Sequence, residues 1–139
     1  MNYYDEIKNK LIDNEIYEKV KDYSKERNKV VTYFEIGKLL YEAGSKYGED
    51  IIGEYSKKLQ IEVGKKYNNR TLRRIRQYYL RFKDVKWSQV ATKLSWSHYT
   101  ELLSLKDECE IIYYINQCVN NKLSRNQLRE KIRNNEYER

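Results

Sequence analysis

The chain has no proline and only five glycines among its 139 residues. A β-sandwich or barrel spends both residues freely in its turns, so an all-β fold is disfavoured. Without proline the commonest helix breaker is also missing. Histidine occurs once, at His98, and cysteine twice, at Cys109 and Cys118. The two thiols sit nine residues apart on one expected helix, a spacing that forbids a disulfide between them and leaves no zinc ligand set. No apolar run is long enough for a transmembrane helix. The first residues, MNYYDEIKNK, lack the apolar stretch of a secretory signal, which points to a cytoplasmic protein with no membrane partner.

Phosphate-binding glycine loops are absent, whether of the G-x-x-x-x-G-K-[ST] or the G-x-G-x-x-G type. Carboxylates concentrate in residues 1–63, interleaved with lysines at helical spacing, which reads as a solvated helix surface. A metal-dependent nuclease needs carboxylates converging from a rigid framework, and no strand pair supplies one. The sequence therefore predicts no enzyme in this polypeptide alone, no catalytic residue, no metal site and no cofactor.

What is present is charge, 35% of residues, with tyrosine supplying 15 members of the apolar set. The mean hydropathy is −1.00 and the mass 17.1 kDa, which suits one helical domain spanning 1–139 with its core over about 15–133. The formal net charge of +7 is unevenly placed. Residues 64–86 carry nine basic groups against the single Asp84, while the segments on either side nearly balance. Arginine dominates that block, and its planar fork matches phosphate oxygens. Such a patch is the footprint of a polyanion, most often nucleic acid.

Apolar periodicity predicts an all-α fold of about six to seven helices. Residues 3–23 read as helical, with Tyr4, Ile7, Leu11, Ile16, Val20 and Tyr23 on one stripe. The pattern runs on without a breaker, so one long helix over about 15–43 is expected, ended by Gly44. Helices follow over about 49–62, 70–82, 87–94, 97–105, 108–121 and 125–135. Asn68 or Asn69 is placed to cap the helix at 70, Asp107 the one at 108, and Ser124 with Gln127 forms a capping box for the last. Ile111, Ile112, Ile115, Cys118 and Val119 are the expected core of the 108–121 helix, and the tail NNEYER is expected to fray. Trp96 reads as a core anchor and His98 as a helix-start hydrogen-bonding group, rather than as ligand contacts.

The segment RTLRRIRQYYLRF carries the functional signal. At about 100° per residue, Leu72, Ile75, Tyr79 and Phe82 share one arc, and Arg70, Arg73, Arg74, Gln77 and Arg81 the opposite one. Arg76 falls near the buried side, so it is expected to snorkel or to pair with a carboxylate. The bland alternative is an ordinary solvated face. Such faces mix signs to limit repulsion at i,i+3 and i,i+4, yet no acid lies between Arg70 and Arg81. The expected nucleic-acid-binding residues are Lys65, Lys66, Asn69, Arg70, Arg73, Arg74, Gln77, Arg81, Lys83 and Lys86. In a helix-turn-helix reading, the 49–62 helix lies on the backbone and the 70–82 helix enters the major groove of double-stranded DNA.

Four segments in order, YFEIGKLL (33–40), NNRTLRRIRQYY (68–79), LSWSHYTELLSLKD (94–107) and IIYYINQCVNNKLSRNQLREKI (111–132), resemble the N-terminal domain of the YhcG family. The resemblance implies an α-helical, helix-turn-helix or winged-helix-like DNA-binding domain. In that family it precedes a PD-(D/E)xK nuclease domain, often beside bacterial DNA-restriction or mobile-element genes. None of the family's catalytic residues has a counterpart here. The nuclease expected as a partner lies elsewhere, or the domain acts alone. A protein-interaction or dimerisation domain is the competing function, with the helix over 15–43 as its surface and a homodimer as one product.

Overall fold

A computed structural model describes residues 2–19, 24–85 and 87–138. Val20, Tyr23, Lys86 and the terminal Arg139, all used in the reading above, lie outside the described residues. Among those described there are eight α-helices, two short 3₁₀ turns and no strand, so the fold is all-α. The chain divides into two compact units, 1–80 and 81–139.

The first unit holds α1 (Tyr3–Lys19), α2 (Ser24–Tyr47), α3 (Ile51–Glu62) and most of α4 (Asn69–Phe82). The single helix expected over 15–43 is thus two helices, with 15–19 in α1 and 24–43 in α2. They run antiparallel, as the pairs Lys10–Glu35, Asn14–Asn28 and Glu18–Lys29 record. A stripe of apolar residues has the same period before and after a reversal. With no Gly or Pro to mark the reversal, periodicity alone could not place it. Ile7 and Leu11 of α1 are buried with Val30, Ile36, Leu40 and Ala43 of α2, whereas Ile16, expected inward, is 59% exposed. Ile52, Tyr55 and Leu59 of α3 face inward as expected.

Gly37 marks where α2 and α4 come closest. A Cβ built there would lie 2.5 Å from the Ile75 carbonyl oxygen and 2.7 Å from Tyr79 Cβ, so only a hydrogen fits. Asn14 is fully buried, and its amide accepts from Asn28 at 3.1 Å. Buried polar groups need such partners.

The connection from α3 to α4 is not a passive loop. Tyr67 is fully buried, and its hydroxyl donates to Glu15. Lys66 pairs with Glu15 at 2.9 Å and Glu18 at 3.0 Å. Burial on its own would raise the Glu15 carboxyl, but the Tyr67 hydroxyl and Lys66 ammonium outweigh it and hold the group below its ordinary value of 4.5. A depressed carboxyl stabilises the fold above its unfolded value, and that stability is lost as the pH falls through the folded value. Thermal melts should therefore hold their midpoint above pH 5 and lose it progressively below about 4.5. Glu15→Gln should flatten that acid limb, and an unchanged limb would remove Glu15 as a contributor.

The second unit contains α5 (Trp87–Val90), a 3₁₀ turn at Ala91–Lys93, α6 (Trp96–Leu102), α7 (Glu108–Asn121) and α8 (Arg125–Arg133). The helix expected over 87–94 tightens into that 3₁₀ turn, where Tyr99 donates to the Ala91 carbonyl at 3.1 Å. Tyr99 also packs edge-on against buried Phe82, with centroids 5.1 Å apart. In α7, Ile111, Tyr114, Ile115 and Cys118 are buried, and burial raises the Cys118 thiol to about 11. Ile112, expected in the core, is 40% exposed, and Val119 is half-buried. The true inward arc is centred on 111, 114, 115 and 118, so 112 falls on its flank. The tail is more ordered than expected. Residues 136–138 form a 3₁₀ turn, and the Tyr137 amide donates to the Tyr114 hydroxyl at 3.2 Å.

Three caps position this unit. Asp107 accepts from the Cys109 amide, and Ser124 with Gln127 closes a capping box on α8. Ser95 and His98 close another on α6. His98 Nε2 lies 2.7 Å from the Leu123 carbonyl, which can only accept. The proton is therefore on Nε2, and Nδ1 accepts from the Ser95 amide at 3.1 Å. His98 thus ties α6 to the turn before α8. Removing both bonds by His98→Ala should lower stability by roughly 1–2 kcal/mol, measured by urea denaturation. No loss would mean that the histidine is not a structural tie.

Candidate nucleic-acid interface

Asn68 starts α4 by accepting from the Thr71 amide at 2.9 Å, leaving Asn69 as the first helical residue. Leu72, Ile75 and Tyr78 are buried in the first unit, with the Tyr78 hydroxyl donating to the Val30 carbonyl at 3.0 Å. Tyr79, expected within the apolar arc, is only half-buried. The buried arc is rotated by one position towards Tyr78, and this rotation makes Arg74 half-buried rather than fully exposed.

Asn69, Arg70, Arg73 and Gln77 are exposed on the other side of α4. With Arg74 they follow helical spacing down one face. Arg70, Arg73 and Arg74 make no salt bridge and no hydrogen bond among the described residues. Lys65, exposed in the preceding connection, makes none either. Arg76 behaves as its wheel position requires. Its two terminal nitrogens fork onto Glu49 at 2.8 and 2.7 Å, and this raises the guanidinium and lowers the carboxyl.

Lys66 is directed into the carboxylates of α1. These partners lie about fifty residues upstream in sequence, and no local pattern announces them. Arg81 belongs to the second unit, where its guanidinium donates to the Leu105 carbonyl. Lys83 is exposed in the same unit and has a partner of its own. The wheel also passed over Tyr78, and the capping pattern passed over Tyr67. For Tyr67 the available hint was an aromatic residue between polar Lys66 and Asn68, whereas Tyr78 lies between Gln77 and Tyr79.

A residue set with a glutamine and three guanidinium groups that make no direct ion pair on one helix can bind phosphate oxygens. Its side-chain types can also meet base edges. No helix among the described residues is long and apolar enough to cross a membrane. No curated protein and no solved structure matches the chain. A family profile described as the DUF1016 N-terminal domain matches residues 9–139, in agreement with the resemblance carried by the four segments above. The chain belongs to the DUF1016 N-terminal domain family.

Proposed function

We propose that this chain is a binding module for double-stranded DNA, with the exposed face of α4 gripping the phosphate backbone. The observation that carries the reading is that Arg70, Arg73 and Arg74 make no direct ion pair, Arg73 meeting Glu49 only at longer range, on a helix that contains no acid. Like charges at i,i+3 and i,i+4 repel by roughly 0.2–0.5 kcal/mol per pair, and an anion across the face relieves that repulsion. Lys65 adds a fourth cation. Lys66 and Arg81 are already engaged and are not counted. The nuclease partner implied by the YhcG-like resemblance, in the same chain or a separate one, is part of the same proposal. The module then delivers cleavage that another domain performs.

Fluorescence anisotropy with a labelled random-sequence duplex, and with one of its single strands, tests the reading. Saturable binding to the duplex, weakening as salt rises, is expected. Absence of binding at low salt would overturn it.

A second reading is a protein-interaction module. Ile12, Ile16 and Tyr17 of α1 are all exposed, with Ile16 at 59%, and apolar side chains of this kind favour a protein partner or a second copy. Light scattering at low and high salt separates the two, since association through apolar groups survives salt.

A further inference from the structure

Two helix-to-helix connections compete for the role of a helix-turn-helix. The one between α3 and α4 spans residues 63–68 and exceeds the three to four residues such turns use. The one between α7 and α8 is Lys122–Leu123–Ser124, three residues, with Lys122 in the left-handed region at φ 51°. The turn is fixed from both sides. His98 donates to the Leu123 carbonyl at 2.7 Å, and Ser124 caps α8. Leu128 is the buried anchor of α8.

The outward residues of α8 include types able to read DNA, alongside exposed Glu130, which pairs with Arg133 at 3.7 Å. Arg125 and Asn126 occupy its first turn, with Arg129 and Arg133 one and two turns further on. Arg125 gives only Nε to Glu101, at 3.0 Å, so both its terminal nitrogens stay available to fork onto guanine. Arg129 gives Nε and Nη2 to the same carboxylate, at 3.1 and 2.6 Å. Glu101 thus holds two guanidinium groups in defined positions, and Arg129 in the first place, then Arg125, keep its carboxyl ionised. Asn126 is exposed and has no hydrogen-bond partner among the described residues; an asparagine amide pairs with adenine. Beside the turn, Lys93 and Lys122 line an open cavity of about 380 Å³ on which no acidic residue lies.

We propose that the second unit carries a base-reading helix-turn-helix, α7–turn–α8, in which Arg125 and Asn126 contact base edges while Lys93 and Lys122 contact phosphates. This rests on the DNA-binding reading and divides its labour: α4 supplies sequence-independent grip, and α8 supplies sequence discrimination. It also moves the recognition helix away from the 70–82 segment favoured by charge alone.

Selection from a random-sequence duplex pool, followed by anisotropy on the enriched and scrambled duplexes, decides the matter. The variant Arg125→Lys with Asn126→Ala keeps the net charge, and both sites are exposed. The wild-type chain should enrich a motif. The variant's preference for the motif over random duplex should fall roughly ten- to a hundred-fold. Asn126→Ala alone, which leaves the Glu101 pair intact, should lose part of that preference. Enrichment of the same motif by the double variant would overturn the proposal, as would a wild-type chain that binds duplex but enriches nothing. A wild-type chain that binds no duplex removes the α4 reading as well, so the two failures are distinguishable.

Discussion

Arg70→Ala, Arg73→Ala and Arg74→Ala made together should weaken duplex binding by roughly a hundred-fold at low salt while the protein becomes slightly more stable. The loss comes from removing three of the four cations counted on the α4 site, and the slope of log K against log salt should become shallower by about 2.7. The gain has a separate origin. Arg70 repels both Arg73 and Arg74 at helical spacing, none of the three makes a direct ion pair, and the longer-range attraction of Arg73 to exposed Glu49 is a small loss against that relief. Alanine is also the best helix former. An ordinary solvated face would show neither a loss of binding nor opposite signs in binding and stability. Opposed signs are the mark of a site kept strained for a ligand. Anisotropy and thermal melts on the same preparation report both quantities. Unchanged DNA affinity would reject the face as an interface.

Gly37→Ala should be among the most damaging single substitutions in the first unit. The added carbon would sit 2.5 Å from the Ile75 carbonyl oxygen and 2.7 Å from Tyr79 Cβ. Backbone and a Cβ cannot swing aside as the end of a flexible side chain can, so α2 and α4 must separate. Overpacking of this kind costs about 3 kcal/mol, enough to lower the melting midpoint by more than about 10 °C in a unit of this size. Gly53→Ala gives the contrast. Its Cβ would meet only the Asn69 amide, at 3.8 Å and beyond. Replacing this glycine in the first turn of α3 by alanine should stabilise by up to about 1 kcal/mol. Equal effects at the two positions would show that the α2–α4 contact is not what Gly37 serves. The prediction matters for function because the same crossing presents the outer face of α4.

The features legible in the sequence were those set by local chemistry. The Asp107 cap and the Ser124–Gln127 box each need only neighbours within four residues, and both form as expected. Arg76 was placed by the period of its own helix, and its position at the edge of the apolar arc forced it towards a carboxylate. What escaped was set by contacts distant in sequence. Lys66 and Arg70 look alike in sequence as cations of one basic block. They differ only because the antiparallel return of α1 brings Glu15 and Glu18 to Lys66. Tyr67 looked like a loop residue, and its burial depends on that same return. The phosphate-gripping face proposed above is therefore smaller than the basic block, one face of α4 with Lys65 beside it, and the base-reading site proposed on α8 lies in a segment whose net charge gave no sign of it.

The slope of log K against log salt for the wild-type chain on a random-sequence duplex is the most direct measure of the phosphate grip. The four cations of the α4 site, Lys65, Arg70, Arg73 and Arg74, should give a slope near −3.6 by themselves, and the phosphate contacts proposed for Lys93 and Lys122 carry it towards about −5.4. A slope indistinguishable from zero, or binding that strengthens with salt, would contradict it.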